Sequence, residues 1–160
     1  MLRIETIPSD QPPATDLVDA MVAEVSEMYG PINVPGAPTA TPADLGPPGG
    51  AFVVVFEDGN GGDGDGGGRA VAGGGLKRLD DEACEIKRMY VVPDARGRGL
   101  AKVLLEALEA EARRLGYRIA RLDTGAQQPA AQRMYERAGY QPIGNFNANP
   151  FASFWGEKAL

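Results

Sequence analysis

The sequence predicts one mixed α/β domain that spans residues 1–160. Short runs rich in β-branched and aromatic residues, such as residues 51–57, are typical of buried strands. They alternate along the chain with longer segments, such as residues 15–29, in which apolar residues recur at helical spacing. The chain shows neither an internal repeat nor a linker-like boundary, and its 160 residues suffice for one sizeable core.

The first elements are a strand, a helix and a long loop. Residues 2–7 alternate in polarity as a half-buried strand does, and residues 15–29 follow as a helix with acidic residues near its start. Residues 30–50 are rich in Pro and Gly and include one candidate helical turn near residues 42–45. So long an irregular loop in a compact domain is often functional, and we expect it to cover a binding site.

Two further strands follow, at residues 51–57 and 69–79. The Gly/Asp-rich run between them, residues 59–68, is interpreted as a flexible hairpin connection. Three consecutive glycines, residues 73–75, predict a kink or bulge in the second of these strands, because glycine inside a strand often marks such a site.

The second half begins with a strand at residues 84–92, which leads through a Pro-marked turn and a basic glycine loop into a helix. Gly116 is a stop signal for that helix. Residues 119–124 are the next strand, and a second helix occupies residues 128–139. Two closing strands are predicted at residues 140–143 and 151–157.

Composition narrows the chemistry that this chain can perform. The formal net charge of −6 disfavours nucleic acid as a partner, because phosphate would be repelled, and mildly favours cationic small molecules. The chain has no histidine, which excludes histidine-dependent hydrolysis and histidine-bound zinc. Its single cysteine, Cys84, forms no intrachain disulfide. Without a membrane-length apolar stretch or an N-terminal signal peptide, we expect a cytoplasmic protein with no membrane partner.

The basic glycine loop has the features of a phosphate-binding site. Residues 96–101 read Arg-Gly-Arg-Gly-Leu-Ala and join a strand to the first turn of a helix. Main-chain N–H groups at a helix start lack intrahelical partners and carry the positive end of the dipole, so they favour an anion. Arg96 and Arg98 would oppose that dipole unless an anion is bound. The loop matches neither the dinucleotide fingerprint, since position 102 is Lys, nor the P-loop, which needs Gly-Lys followed by Ser or Thr.

The pattern Arg-x-x-Gly-x-Ala in this loop resembles the pyrophosphate-binding motif of the GNAT N-acetyltransferase superfamily. The strand Glu-Ile-Lys-Arg-Met-Tyr-Val at residues 85–91 and the segment Tyr-Glu-Arg-Ala-Gly-Tyr at residues 135–140 strengthen the resemblance, which extends over about residues 2–160. It implies a central mixed sheet flanked by helices and splayed between the fourth and fifth strands. The pantetheine arm of acetyl-CoA would occupy that gap, and no metal would be required.

The resemblance implies a set of cofactor contacts. N–H groups of the loop and helix start would bind the pyrophosphate, the main chain of the fourth strand would pair with pantetheine, and Gln128 stands where the family usually has Asn. The candidate cofactor-binding residues are Met89, Tyr90, Val91, Arg96, Gly97, Arg98, Gly99, Leu100, Ala101, Lys102 and Gln128.

Two side chains are candidates for the chemistry that the resemblance implies, the direct transfer of an acetyl group to a primary amine. Tyr135 is a candidate general acid for the leaving thiolate, because a phenol is protonated at neutral pH; the alternative is a core tyrosine. Glu85 is a candidate general base, with an ion pair to Lys87 or a water chain as alternatives. Lys87 and Arg88 either are structural or steer an acceptor carboxylate.

Other residues leave alternatives open. Cys84 is interpreted as a small buried hydrophobe, since no histidine can activate it. Aromatic residues near the C-terminus either line an acceptor pocket or pack in the core: Phe146, Phe151, Phe154 and Trp155. The expected acceptor is a small-molecule amine or a peptide, and a homodimer is compatible with the sequence. The rival hypotheses are a CoA-binding regulatory module with weak catalysis and a nucleotide-binding protein.

Overall fold

A computed structural model of the chain describes residues 1–32, 34–59 and 67–160. Within these residues the strands are β1 Leu2–Ile7, β2 Ala51–Glu57, β3 Arg69–Arg78, β4 Ala83–Val91, β5 Ile119–Gly125, β6 Gln141–Pro142 and β7 Ala152–Ala159. The helices are α1 Ala14–Tyr29, α2 Leu100–Arg114 and α3 Pro129–Arg137, and a short 3₁₀ turn covers Pro93–Ala95. Most of the predicted hairpin connection, residues 60–66, lies outside the described residues.

The predicted α/β fold is confirmed as one mixed sheet in the order β1-β2-β3-β4-β5-β7-β6. Neighbouring strands are antiparallel except β4 and β5, which are parallel and are connected through α2. Such a parallel pair needs a crossover connection, which a helix normally provides. In the described parts of the chain, none of the helices has the length and apolar character that crossing a membrane requires.

The sheet carries a hydrophobic core on each face, which explains why β2 is apolar from Ala51 to Phe56. Val53 and Val55 belong to the cluster that includes the apolar side of α2. Phe52 and Val54 point the other way, into a smaller cluster that includes Leu17 of α1. Because successive side chains of a strand face opposite sides, a strand covered by a helix on each face must be apolar at every position.

The glycine run of β3 admits side chains from the α1 face and lies opposite a bulge. A Cβ atom at Gly73 would lie 2.6 Å from Cδ1 of Leu17, and one at Gly75 would lie 2.8 Å from Cδ2 of Leu45. The register between β3 and β4 shifts here, since Gly75 pairs with Lys87 but Gly73 pairs with Tyr90. The extra residue lies on β4 and not, as predicted, on the glycine-containing strand β3, so β4 bends at this point.

The bend accompanies the separation of β4 from β5. Parallel pairing between the two strands ends at Glu85 and Arg121. Beyond that point β4 keeps its pairing with β3 up to Val91, and β5 keeps its pairing with β7 up to Gly125. The sheet is therefore splayed between the fourth and fifth strands, as predicted.

Candidate functional site

A cavity of about 790 Å³ lies between α1, the diverging parts of β4 and β5, and the helices α2 and α3. It brings together most of the residues that the sequence indicated. The predicted site residues in its lining are Met89, Tyr90, Val91, Arg96, Gly97, Gly99, Leu100, Ala101, Lys102, Gln128 and Tyr135. Glu85 and Arg98 lie outside that lining.

The glycine loop presents main-chain N–H groups to this cavity. Gly97 and Gly99 have φ angles of 78° and 77°, a left-handed conformation that glycine adopts without steric cost. The first hydrogen bond of α2 runs from the Val103 N–H to the Gly99 carbonyl oxygen, at 3.2 Å. The amides of residues 100–102 precede that bond, so they are the donors with which a helix start binds an anion.

The two loop arginines have carboxylate partners on other elements. The Arg96 guanidinium donates to both oxygens of Glu24 on α1, at 2.8 and 2.6 Å, and its Nε donates to the Val91 carbonyl oxygen at 2.9 Å. Arg98 forms an ion pair with Glu57 at the end of β2. The expectation that these charges need a bound anion is therefore wrong. Arg96 instead fixes the loop against α1 and β4.

Tyr135 lies across the gap from β4 and is buried, with 8% of its surface exposed. Its hydroxyl donates to Sδ of Met89 at 3.6 Å, and its ring packs edge-on against Tyr140, with centroids 6.0 Å apart. Burial raises the pKa of Tyr135, and the negative charge of Asp123 adds to the effect. The phenol is thus neutral at physiological pH and bonded to a weak sulfur acceptor.

Gln128 takes part in a junction between α1 and the loop that precedes α3. The Tyr29 hydroxyl accepts a hydrogen bond from the Gln127 N–H at 2.9 Å and donates to Oε1 of Gln128 at 3.5 Å. A Cβ atom at Gly125 would lie 2.1 Å from that hydroxyl, so Gly125 is needed for the approach. The Gln128 side chain therefore has a protein partner at the cavity wall.

Glu85 is held in a buried polar cluster on the α1 face of the sheet. Its carboxylate is 2% exposed, accepts from Nδ2 of Asn147 at 2.8 Å, and lies 3.4 Å from Nζ of Lys87. The ion-pair alternative for Glu85 is therefore present in the structure. A base in this position has no direct access to the cavity.

Asp123 is the carboxylate that sequence reasoning missed. It lines the cavity on the β5 side of the gap. Its Oδ2 accepts from Nδ2 of Asn147 at 2.6 Å and from Nδ2 of Asn149 at 3.0 Å. The Asn147 amide thus joins Asp123 to Glu85. The signal in the sequence was the polar alternation of β5, which places Asp123 and Arg121 on the face opposite its buried apolar residues.

Comparison with known proteins agrees with this geometry. The model of the Acetyltransferase (GNAT) family matches residues 18–140, which include the loop, the gap and Tyr135. The chain belongs to the GNAT acetyltransferase family. This confirms the resemblance on which the cofactor site was predicted.

Two curated relatives of this GNAT chain are bacterial acetyltransferases by name. The uncharacterized N-acetyltransferase YjgM of Escherichia coli is 34% identical over 99 residues, which are 60% of this chain and 54% of YjgM. The IAA acetyltransferase of Azospirillum brasilense is 37% identical over 95 residues, which are 56% of this chain and 61% of that protein. The matched segments thus span between half and two thirds of these relatives.

Solved structures of the family share the whole fold. A protein from Klebsiella pneumoniae, assigned by its name to the acyl-CoA N-acyltransferases, has a TM-score of 0.75 and 27% identity and covers 100% of this chain and 98% of its own. A GNAT family acetyltransferase from Elizabethkingia anophelis, solved with acetyl-CoA bound, has a TM-score of 0.67 and 15% identity, and the match covers 99% and 98%. At that identity the second likeness concerns the fold alone.

The remaining candidates of this GNAT domain divide between cavity and core. Phe151 lines the cavity, whereas Phe154 is buried in the hydrophobic cluster that includes the apolar side of α2. The Trp155 indole donates to Oδ1 of Asn147 at 3.1 Å, and the Arg121 guanidinium lies over the Phe146 ring at 5.9 Å. Cys84 is buried, which raises its pKa to about 12. A thiol with so high a pKa is a poor nucleophile at neutral pH.

The long loop after α1 contributes part of the cavity wall. Ile32, Ala37 and Pro38 line the cavity. The predicted turn near residues 42–45 is present as one turn, in which the Thr41 and Asp44 side chains bond each other's main chain at 2.9 and 3.2 Å. Among the described residues, no group of three or more His, Cys, Asp or Glu side chains has the arrangement of a metal site.

Proposed function

We propose that this protein is an acetyl-CoA-dependent N-acetyltransferase that moves an acetyl group to a primary amine by direct attack. One observation carries the proposal: a single cavity connects the amides at the start of α2, through the gap between β4 and β5, to the phenol of Tyr135. Membership of the GNAT family and the acetyl-CoA held by the Elizabethkingia relative support the choice of cofactor.

The cofactor binds along this path. Amides of residues 98–102 hold the pyrophosphate, and Lys102, whose side chain is 72% exposed, adds a positive charge beside it. The main chain of Met89, Tyr90 and Val91 pairs with the pantetheine amides along the edge of β4 that β5 has left. Fixing thioester and amine together can supply about 7–11 kcal/mol of the barrier.

Tyr135 assists the departure of the thiolate. Its raised pKa keeps the phenol protonated through neutral and alkaline pH. Because an ordinary thiol has a pKa of about 8.5, complete proton transfer from the phenol is uphill. Tyr135 therefore acts first as a hydrogen-bond donor to the developing charge on sulfur, and its present acceptor, Sδ of Met89, is weak enough to be exchanged.

Asp123 and Glu85 are the candidates for accepting the amine proton. Of these two, Asp123 has direct access because it lines the cavity, where two amide donors hold it; Glu24, which also lines the cavity, is paired with Arg96. Glu85 is buried behind it and bonded to the same Asn147 amide. We therefore assign proton acceptance to Asp123, with Glu85 as the base only if water connects it to the amine.

Paired carboxamide variants distinguish these two assignments. We expect Asp123→Asn to lower kcat/KM by about 10²-fold or more, because a carboxamide cannot accept the proton. Glu85→Gln should leave the rate per folded molecule within about tenfold but destabilise the fold by about 3 kcal/mol, because Lys87, 10% exposed, loses its partner. Steady-state kinetics and urea unfolding of both variants give the measurement. A larger rate loss in Glu85→Gln than in Asp123→Asn would make Glu85 the base.

Acetyl-CoA should stabilise the protein. A ligand that binds only the folded state adds about 2.7 kcal/mol at a hundredfold excess over Kd. For a domain of this size, that corresponds to a rise of about 5–10 °C in Tm. Acetyl-pantetheine, which lacks the pyrophosphate, is the control and should give a smaller shift. The cofactor assignment fails if millimolar acetyl-CoA leaves the Tm of the folded protein unchanged.

Turnover is tested with a panel of primary amines and short peptides, with CoA release as the readout. Acetylation of at least one amine is the expected result. Tight acetyl-CoA binding without CoA release across the panel would instead support the regulatory CoA-binding module.

A further inference from the structure

Arg88 occupies the extra position of the β4 bulge. It lies between the Lys87–Gly75 and Tyr90–Gly73 pairs and has a φ of 61°. In a residue other than glycine this left-handed conformation costs energy, and it persists only where the surrounding structure enforces it. A bulge redirects the side chain that it carries. Here the redirected side chain lines the cofactor cavity and also a second groove, against α1.

The charge of Arg88 has no counter-ion in contact. Among the described residues, its guanidinium forms no ion pair and no side-chain hydrogen bond, and its buried Nε lacks any partner. The neighbouring cations differ: Lys87 has Glu85 at 3.4 Å, and Arg96 has Glu24 at 2.6 Å. Burial lowers the pKa of Arg88, and the Asp123 and Glu85 charges partly offset this. A half-buried guanidinium with unused donors is a binding group for an oxyanion.

Asp123, the carboxylate of the cavity wall on β5, already has hydrogen-bond partners. Oδ2 of Asp123 accepts two asparagine amides, and Asp123 forms no ion pair with Arg88 within 4.0 Å. The cavity therefore presents a cation on β4 and an anion on β5 that do not neutralise each other by contact. Apolar side chains complete the wall nearby, including Met21, Val25 and Phe151.

We propose, on the premise of the acetyl transfer above, that the acceptor is a small apolar amino-carboxylic acid whose carboxylate is bound by Arg88. Guanidinium and carboxylate match as two parallel hydrogen bonds, which fixes the acceptor's orientation as well as its charge. The amine then lies toward Asp123. Its nitrogen forms the new bond to the thioester carbon as the carbon–sulfur bond breaks, its proton passes to Asp123, and the departing thiolate accepts a hydrogen bond from the Tyr135 hydroxyl and takes its proton from solvent. The positive charge of Arg88 in the cavity, and not the net negative charge of the whole chain, thus selects the acceptor.

Matched pairs of amines test this selection. The probes are alanine, leucine, methionine and phenylalanine, each compared with its own amide, which keeps the amine and side chain but lacks the carboxylate. We expect the acid of at least one pair to exceed its amide at least 10²-fold in kcat/KM, because a site built to bond a polar group rejects an analogue that lacks it. The acetyl-CoA Kd is measured separately by calorimetry.

Three variants assign the selection to Arg88. Arg88→Gln should abolish the preference for the acid and raise its KM while leaving the acetyl-CoA Kd within about threefold of wild type. Arg88→Lys keeps the positive charge but loses the planar guanidinium that bonds both carboxylate oxygens, so it should retain only part of the preference for the acid. Lys102→Gln is the matched control, since it removes a cavity cation at the pyrophosphate end; it should weaken acetyl-CoA and leave the acid-to-amide ratio unchanged.

The outcomes separate the two levels of the proposal. Failure of acetyl-CoA to bind overturns the acetyltransferase assignment together with the acceptor class. Acetyl-CoA binding with amides used as well as acids, or with none of the eight probes turned over, overturns the acceptor class alone. An acid preference that survives Arg88→Gln in a protein with an unchanged melting transition also overturns it.

Discussion

Gly99→Asp is expected to weaken acetyl-CoA binding by about 10³-fold while the fold persists. The introduced carboxylate would stand at the start of α2, where the pyrophosphate is proposed to bind. Two like charges 4 Å apart repel by about 4 kcal/mol at an effective dielectric constant of 20, which corresponds to about 10³ in Kd. Space is available, since a Cβ atom at Gly99 meets nothing within 4 Å. The fold should lose about 1–2 kcal/mol, the cost of a left-handed φ in a residue with a side chain.

Two control variants isolate the effect of charge at the phosphate site. Gly99→Ala imposes the same backbone strain without charge and should weaken acetyl-CoA far less. Gly116→Asp adds both strain and charge at the other end of α2, where φ is 95° and the Cβ position is also open, so it should spare the affinity. Calorimetric titration of the three variants gives the comparison. Near wild-type affinity in Gly99→Asp would place the pyrophosphate elsewhere.

The parts of the structure that depend on local sequence could be predicted. The basic glycine loop, the helix that follows it and an irregularity at the β3 glycines each depend on a few adjacent residues, although the extra residue of the bulge lies on β4. The order of strands and helices could also be predicted, because the hydrophobic pattern distinguishes a strand that is apolar on both faces, such as β2, from a helix that is apolar on one face, such as α1. The predicted boundaries of the elements were less accurate: a closing strand was predicted at residues 140–143, but β6 is confined to Gln141–Pro142.

The parts that depend on distant partners could not be predicted. Arg96 meets Glu24 across 72 positions of sequence and Arg98 meets Glu57 across 41, so the neutralisation of the loop arginines has no local signal. The link from Glu85 through Asn147 to Asp123 requires the β4–β5 register and the position of the loop before β7. Sequence indicated that carboxylates stand on these strands, but only the fold shows which one reaches the cavity.

Tyr135→Phe is the second variant with a large expected effect. Phenylalanine keeps the ring, and with it the edge-on contact with Tyr140, and removes only the hydroxyl. The stability cost should be about 1 kcal/mol or less, because the lost hydrogen bond is to a thioether sulfur. The chemical step should nevertheless slow by about 10²–10³-fold, the usual loss when a donor to developing charge is removed.

The pH dependence of the wild type supports the same test. Because burial raises the pKa of Tyr135, the donor stays protonated as pH rises past the ordinary phenol value of about 10. Ionisation of Tyr135 should therefore cause no loss of rate below about pH 10. Unfolded tyrosine does ionise there, so the stability that the buried phenol contributes is present below pH 10 and declines above it. Single-turnover rates measured between about pH 7 and 9 thus report the donor without the loss of stability that the ionisation of unfolded tyrosine would cause.

The decisive measurement pairs single-turnover acetylation with urea unfolding for Tyr135→Phe and a control, Tyr140→Phe. The Tyr140 hydroxyl donates to Oε2 of Glu109 at 2.9 Å in a buried cluster with Lys158, behind Tyr135 and outside the cavity lining. Its removal should therefore cost more stability, about 1.5–3 kcal/mol for a bond to a charged group, and little rate. The two tyrosines should give opposite patterns: rate loss without instability at Tyr135, and instability without rate loss at Tyr140. A normal chemical step in Tyr135→Phe would make Tyr135 a core residue and leave the thiolate to water or main chain.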